Sequence, residues 1–413
     1  MSPPRKRGPR LFERNGFPLA RERRSSTRER RSSTRERRSA SPRTTISVAA
    51  AKAGAQLFFQ KILGSRFRGN DDSARGNDGW PRRRRLGAFL LCFALAGATH
   101  ALDYRQLALV VNTADPLSVA IGEYYAERRA IGFQNVIRVS IPPGRAALTR
   151  EEFEKLKRVV DARTNPRVQA YALAWALPYR VECMSITSAF AYGYDDALCS
   201  QGCKPTRPSR YFNSKTREPY ADLGLRPAMA LAARTLGEAK ALIDRGVAAD
   251  RTRPPGTAYL VSTSDELRNV RSRGYPLAVK AAGERFEVRT VHADALTYRT
   301  DVLFYFTGAA RVPLDTVRFV PGAMADHLTS SGGVLDAGEG GQMSALAWLE
   351  AGATASYGTV VEPCNLPQKF PHPAVAIAHY LAGETAIEAY WKSVRMPGQG
   401  IFVGEPLAAP FAR

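Results

Sequence analysis

The chain has 413 residues, with 60 Lys+Arg against 38 Asp+Glu and a formal net charge of +22. The excess is unevenly placed: residues 1–101 carry 24 basic and 7 acidic side chains, while residues 102–413 carry 36 and 31, a net of +5. A polyanion partner is therefore not implied for the main body, whose charge balance is ordinary and whose length supports a sizeable core.

Residues 21–40, RERRSSTRERRSSTRERRSA, repeat a seven-residue unit nearly three times. No apolar residue occupies any position of the unit, so no coiled-coil seam is available and disorder is predicted. RGND then recurs at 68–71 and 75–78. Tandem repeats of this kind read as translated repetitive DNA, so residues 1–81 are expected to be a disordered basic, spurious or non-native extension. The alternative for this segment is a basic arm that binds nucleic acid or anionic lipid. Arg82 to Arg85 abut an apolar run from Leu86 to Gly97, and Thr99 and Ala101 place small residues ahead of a cleavage point before Leu102. That is the order of a signal peptide at 82–101, and the run is too short to span a bilayer. Leu91 ahead of Cys92 argues against a lipoprotein anchor. With no Met between Met1 and Met184, a native start near residue 80 would need a non-ATG codon. The mature product is expected to be periplasmic or secreted, with no transmembrane helix once the signal is removed.

The mature chain alternates strand-like and helical runs. LALVV (107–111) reads as a buried strand, residues 116–130 as a helix, and 135–142 as a strand. Thr149 opens a helix to about residue 162, with acids in its first turn. VQAYALAWALPY (168–179) is a long strand candidate, 180–225 is rich in loops, and a helix is expected from Pro227 to Ala249. The second half repeats this rhythm. Strands are predicted at 257–263, 286–293 and 301–308, with Asp265 capping the helix between the first two. A short strand at 332–337, a helix at 343–352 closed by Gly352, and a strand at 353–361 follow. Helices from Pro373 to Gly383 and Thr385 to Val394 complete the pattern. Strands separated by helices imply an α/β fold: a mainly parallel sheet with helices on both faces. We divide it into an N-terminal α/β subdomain at 102–250 and a C-terminal one at 251–413.

In such folds ligands gather beyond the carboxyl ends of strands. That rule selects Asn112 to Asp115, Ser262 to Asp265, Thr307 to Ala309, Thr329 to Gly333, and Glu362 to Asn365. Asp115, Thr307, Gly308 and Asn365 are the candidate cleft residues. No phosphate loop, no GxGxxG after a strand and no G-x-S-x-G elbow occurs, so no cofactor is expected and a serine-hydrolase elbow is missing. His292 and His379 read as packed structural residues. His327 precedes Thr329, Ser330 and Ser331, a possible hydroxyl nucleophile with a nearby base, or a capping and turn cluster ahead of Gly-Gly. Cys364 lies near Glu362 and eight residues before His372, a possible thiolate pair or a disulfide partner. Four cysteines remain after the signal: Cys183, Cys199, Cys203 and Cys364. Cys199 and Cys203 are close enough in sequence to bridge, which would leave Cys183 with Cys364. Nothing in their spacing suggests a metal.

From Asp301 to the C-terminus the chain resembles the catalytic domain of gingipain-like cysteine peptidases, within the caspase-type fold. The resemblance is carried by FYFTGAA (304–310), HLTSSGG (327–333), GATASYGTVVEP (352–363), GETAIEAYWKSV (383–394) and FVGEPLAAPF (402–411). Nearly all of residues 103–411 is also similar to an uncharacterised family of secreted bacterial proteins. The peptidase resemblance implies a caspase-hemoglobinase-like sheet with a His after the TG of the first motif and a Cys near residue 329 or 330. Here Ala309 and Ala310 follow the TG, and no Cys lies near 329, so the Cys–His dyad is absent. The implied function is an exported, peptidase-like binding or scaffold module of the cell envelope, its partner a peptide or envelope protein and not nucleic acid. The alternative is a hydrolase with a relocated nucleophile at Thr329, Ser330 or Cys364, served by His327 or His372 with Glu362.

Overall fold

The computed structural model describes residues 101–200, 203–336 and 341–413. The expectations placed on the basic repeat, the arginine run and the apolar run at 1–100 lie outside the described residues. The strands of the first half are β1 (Leu107–Asn112), β2 (Val136–Val139), β3 (Ala147–Leu148), β4 (Ala170–Leu173), β5 (Arg180–Val181), β6 (Met184–Ser185) and β7 (Ala228–Ala230). Those of the second are β8 (Thr257–Ser262), β9 (Glu287–His292), β10 (Arg299–Thr307), β11 (Val317–His327), β12 (Ala355–Thr359) and β13 (Gly400–Gly404). Among the described residues, ten of these form one sheet in the order β2-β1-β4-β7-β13-β12-β11-β10-β8-β9, and β3-β5-β6 form a small second sheet.

Period-two alternation sorts the large sheet's side chains onto two faces. In β1, Leu107, Leu109 and Val111 join one core, while Ala108 and Val110 join another. In β10, Phe304 and Phe306 lie on the first side and Tyr305 on the opposite one. Helices α1 (Pro116–Arg128), α6 (Tyr275–Ala282), α8 (Pro373–Leu381) and α9 (Ala386–Ser393) bury residues in the first core. Helices α2 (Arg150–Arg163), α3 (Ile186–Tyr192) and α7 (Ala345–Glu350) cover the other face. Because both faces are covered, the strands read as continuous apolar runs. The fold is thus α/β, with a mainly parallel sheet between helical layers.

Local signals set the helix ends. Thr149 and Glu152 form a reciprocal capping box at the start of α2, and Thr385 and Glu388 form one at α9. A third, Thr235 with Glu238, opens the helix Leu236–Ala249. The expected helix at 227–249 is therefore split, its first residues forming β7 and only the part after Thr235 turning helical. No strand forms in the described part of 332–337, because Gly332 and Gly333 lie against Gly358 of β12. A Cβ on Gly358 would stand 2.2 Å from the carbonyl carbon of Gly332, a backbone approach that only glycine permits. β11 and β13 lie where no strand was read.

One antiparallel pairing governs the topology. β12 and β13 run in opposite directions, with Ala355 opposite Gly404 and Thr359 opposite Gly400. The other neighbours in the sheet are parallel. Strands β2, β1, β4, β7 and β13 consequently point one way, and β12, β11, β10, β8 and β9 the other. The 250/251 boundary falls between the Leu236–Ala249 helix and β8, and the sheet continues across it where β13 meets β7 through Val403 and Ala230. No described helix is long and apolar enough to cross a membrane.

Candidate functional site

The reversal of strand direction separates the cleft candidates. Asp115 follows β1 and therefore leaves the opposite edge of the sheet from Thr307, His327 and Glu362, which follow β10, β11 and β12. Its carboxylate accepts from Leu117 N at 2.9 Å, the N-cap of α1. Asp115 caps a helix and takes no part in a cluster with the others.

At the edge where β10 and β11 end, Asp326 and His327 are consecutive and so face opposite sides of the sheet. Asp326 is buried against Arg271, whose Nη1 is ion-paired with the carboxylate. Nη2 of Arg271 donates to Thr307 O at 2.8 Å, and the guanidinium lies 5.2 Å from the centre of the Phe306 ring. Burial pushes the Asp326 carboxyl up to about 6 against the pull of Arg271. The segment carrying Arg271 closes this edge. Gly308 lies so close to it that a Cβ there would stand 2.4 Å from Arg268 O. Thr307 Oγ1 is buried and makes no hydrogen bond among the described residues. Thr307 and Gly308 thus line a packed junction, not an open cleft.

On the other side, His327 Nδ1 accepts a hydrogen bond from Trp348 Nε1 at 2.8 Å. The tautomer that follows carries its proton on Nε2. Burial lowers the imidazole to about 3, so it is neutral at physiological pH. Its one basic lone pair is committed to Trp348, while the protonated Nε2 is buried and without a hydrogen-bond partner among the described residues, so neither nitrogen is placed as a general base. Thr329 Oγ1 and Ser331 Oγ both donate to Gln342 Oε1, as does Ser331 N at 2.9 Å. Ser330 O accepts from Thr359 Oγ1 at 3.0 Å, while its half-buried hydroxyl makes no hydrogen bond among the described residues. The TSS cluster is a turn cross-braced by Gln342 and Thr359.

The disulfide expectations are corrected. Cys183 pairs with Cys199, Cα atoms 5.2 Å apart, and Cys203 with Cys364, 4.9 Å apart. The turn after α3 brings residue 199 back to β6, where Asp195 N contacts Met184 Sδ at 3.3 Å. Proximity in sequence between Cys199 and Cys203 is overridden by this return of the chain. Cys364, being bridged, is no thiolate and no nucleophile. Glu362 accepts from Cys364 N at 2.7 Å, which ties down the same loop, and Asn365 is exposed. His372 caps the start of α8, beside Arg271 and Gly274. A Cβ on Gly274 would lie 3.2 Å from its Nε2. Burial and the Arg271 charge lower its pKa.

His292 is exposed on the edge strand β9, not packed. His379 Nδ1 lies 3.0 Å from Glu384 Oε1, so it belongs to a polar cluster where a packed role was expected. Sequence reasoning missed Arg271, Asp326, Trp348 and Gln342. Asp326 carried a readable signal, an acid directly following apolar residues at the end of a strand. Arg271 lies in RNVRSRG (268–274), where three arginines within seven residues give no local sign of which one is buried.

Two cavities among the described residues lie elsewhere. One of 960 Å³ opens at the amino ends of β8 and β10, with Arg253, Phe286, Glu287, Asp301 and Phe411 in its wall. Another of 820 Å³ is bounded by Leu102, Arg105, Arg251, Gly383 and Leu407. Among the described residues, no group of three His, Cys, Asp or Glu is placed to hold a metal ion. By fold, then, the chain is an α/β protein whose strand-end candidates are mostly engaged in packing, capping or cross-linking. No protein-family model, curated protein or solved structure matches it.

Proposed function

We propose that this is an exported, peptidase-like α/β protein that binds a peptide or an envelope protein and lacks hydrolytic chemistry of its own. The observation that carries this reading is the commitment of candidate groups at the strand ends. Ala309 stands where the resemblance calls for a base, the His327 lone pair is held by Trp348, and Cys364 is bridged to Cys203. Export is supported by the cysteines: all four in residues 102–413 are consumed by two disulfides, as an oxidising compartment favours. Room for a ligand exists in the 960 Å³ cavity, whose wall combines Phe286 and Phe411 with Arg253, Glu287 and Asp301.

The test treats the purified protein with hydroxyl- and thiol-reactive probes and with a peptide substrate library, alongside a peptide-array binding assay. The expected outcome is no saturable labelling, no turnover, and peptide binding that is weakened by Phe411→Ala. Saturable labelling of Ser330, whose half-buried hydroxyl makes no hydrogen bond among the described residues, would replace this reading by the relocated-nucleophile hydrolase.

A further inference from the structure

Leu102, the residue just after the small-x-small pair Thr99 and Ala101, is buried. Its backbone nitrogen donates to Glu388 Oε2 at 3.2 Å, across 286 residues of chain. Glu388 is itself buried on α9, where Oε2 also accepts from Thr385 N at 2.9 Å and Thr385 Oγ1 at 2.7 Å. Those donors account for a capping box. They do not account for Oε1, which is buried and has no hydrogen-bond partner. The nearest cation to it is Arg217, whose Nη1 is 3.8 Å away.

The surroundings hold positive charge, but none of it stands at hydrogen-bond distance from Oε1. Glu384, one turn before Glu388, takes Lys392 Nζ at 2.9 Å, His379 at 3.0 Å and Arg217 Nε at 3.5 Å. Two neighbouring carboxylates therefore share Lys392, whose side chain is fully buried, and Arg217, whose Nη1 is buried without a hydrogen bond 3.8 Å from Glu388 Oε1. Burial and the Glu384 charge raise the Glu388 carboxyl above its ordinary range. A buried carboxylate oxygen without a hydrogen bond is costly, and a charged donor at hydrogen-bond distance offsets that cost.

We propose that the Ala101–Leu102 bond is a processing site and that Glu388 is the receptor for the amino terminus that cleavage creates. Hydrolysis adds water across the amide, leaving a carboxylate on Ala101 and an amine on Leu102 that takes up the released proton. One amide N–H facing Glu388 becomes an ammonium with three donors, enough to serve both Oε2 and the orphaned Oε1. Space for it exists, since Ala101 and Leu102 both line the 820 Å³ cavity. Cleavage thereby locks the start of β1 to α9. The inference rests on the export reading for its biological setting, but its chemistry is tested without that reading.

In the oxidised full chain, residues 95–101 are replaced by the recognition sequence of a specific protease that cuts immediately before Leu102. The melting temperature is measured before and after cutting. The same is done with Glu388→Gln, and with a version in which the cut leaves Ala101 as the first residue. The expected result is a rise of roughly 3–6 °C on cutting before Leu102, reduced by more than half in each of the other two. The Ala101 version serves if Glu388→Gln does not fold. No rise on cutting, or an equal rise in all folded versions, overturns the proposal. Export is tested separately, by assaying the periplasm and the medium for the protein. N-terminal sequencing of what is recovered checks the processing site, and a start other than Leu102 overturns that part of the proposal while leaving the export reading standing.

Discussion

Two buried polar clusters sit on the first face of this molecule, and they differ in what reaches them. At the ends of β10 and β11, one carboxylate, Asp326, meets one cation, Arg271, and the guanidinium also serves the backbone of Thr307. Beneath residue 102, Glu384 and Glu388 meet Lys392 and Arg217, two carboxylates against two cations. In both clusters a carboxylate oxygen is buried without a hydrogen bond: Asp326 Oδ2 in the first, Glu384 Oε2 and Glu388 Oε1 in the second. The first cluster closes an edge where ligands gather in other α/β folds. The second touches the beginning of the folded chain, where Leu102 N donates to Glu388 Oε2. Charge balance is alike in the two; what distinguishes the second is a chain segment whose backbone already reaches its carboxylate.

The largest effect that would break the contrast comes from the cross-link that pins the loop leaving this same edge after β12. The Cys203–Cys364 bridge closes 161 residues of sequence, whereas Cys183–Cys199 closes 16. On a chain-entropy account, Cys203→Ser with Cys364→Ser costs about 5 kcal/mol and Cys183→Ser with Cys199→Ser about 3 kcal/mol. Urea unfolding of the two double variants measures both. Equal losses would mean that the long bridge adds nothing by constraining the unfolded chain.

Next in size, Arg271→Met leaves Asp326 buried and unpaired, with an expected loss of roughly 3–5 kcal/mol. Adding Asp326→Leu should restore most of it, because the pair balances internally and an apolar pair of similar volume avoids the desolvation cost. A double variant no more stable than Arg271→Met would show that the pair does something packing cannot replace.

The smallest effect sharpens the closed edge through pH. Burial lowers His327 to about 3 in the folded protein, against about 6.5 in an unfolded chain. A base depressed by folding binds its proton in the unfolded state first. Its contribution is therefore complete above pH 6.5 and is lost as pH falls toward 3, at about 1.4 kcal/mol per pH unit between those limits. His327→Asn, which keeps an acceptor for Trp348, should remove that slope from stability measured across pH 4–6. An unchanged slope would mean that His327 does not titrate on unfolding.

How much of this was legible in the sequence depends on the range of the interaction. Thr149 and Glu152 announce α2, and Gly352 ends the segment of α7, because a cap involves residues three or four apart. LALVV announces β1 because strands covered on both faces are continuously apolar. β11 was missed: Pro321 and Gly322 interrupt its middle, and its last six residues are all buried, so no alternation marks them as a strand. At the candidate site, His327 and Thr329 were singled out as a base beside a hydroxyl, without the strand that His327 ends. Their partners were invisible, since Trp348 is 21 residues away from His327 and Gln342 is 13 from Thr329.

The sequence by itself determined the partition of charge, the α/β class and the helix caps, all of which follow from composition or from contacts within one turn or one strand. Only the tertiary structure decided which cysteines pair, which arginine meets Asp326, and that β12 and β13 run against each other. Those outcomes depend on where distant segments are brought together. Sequence separation carries no record of that, so the +22 of the whole chain could be divided on sight, while the single charge facing Leu102 could be found only in the folded molecule.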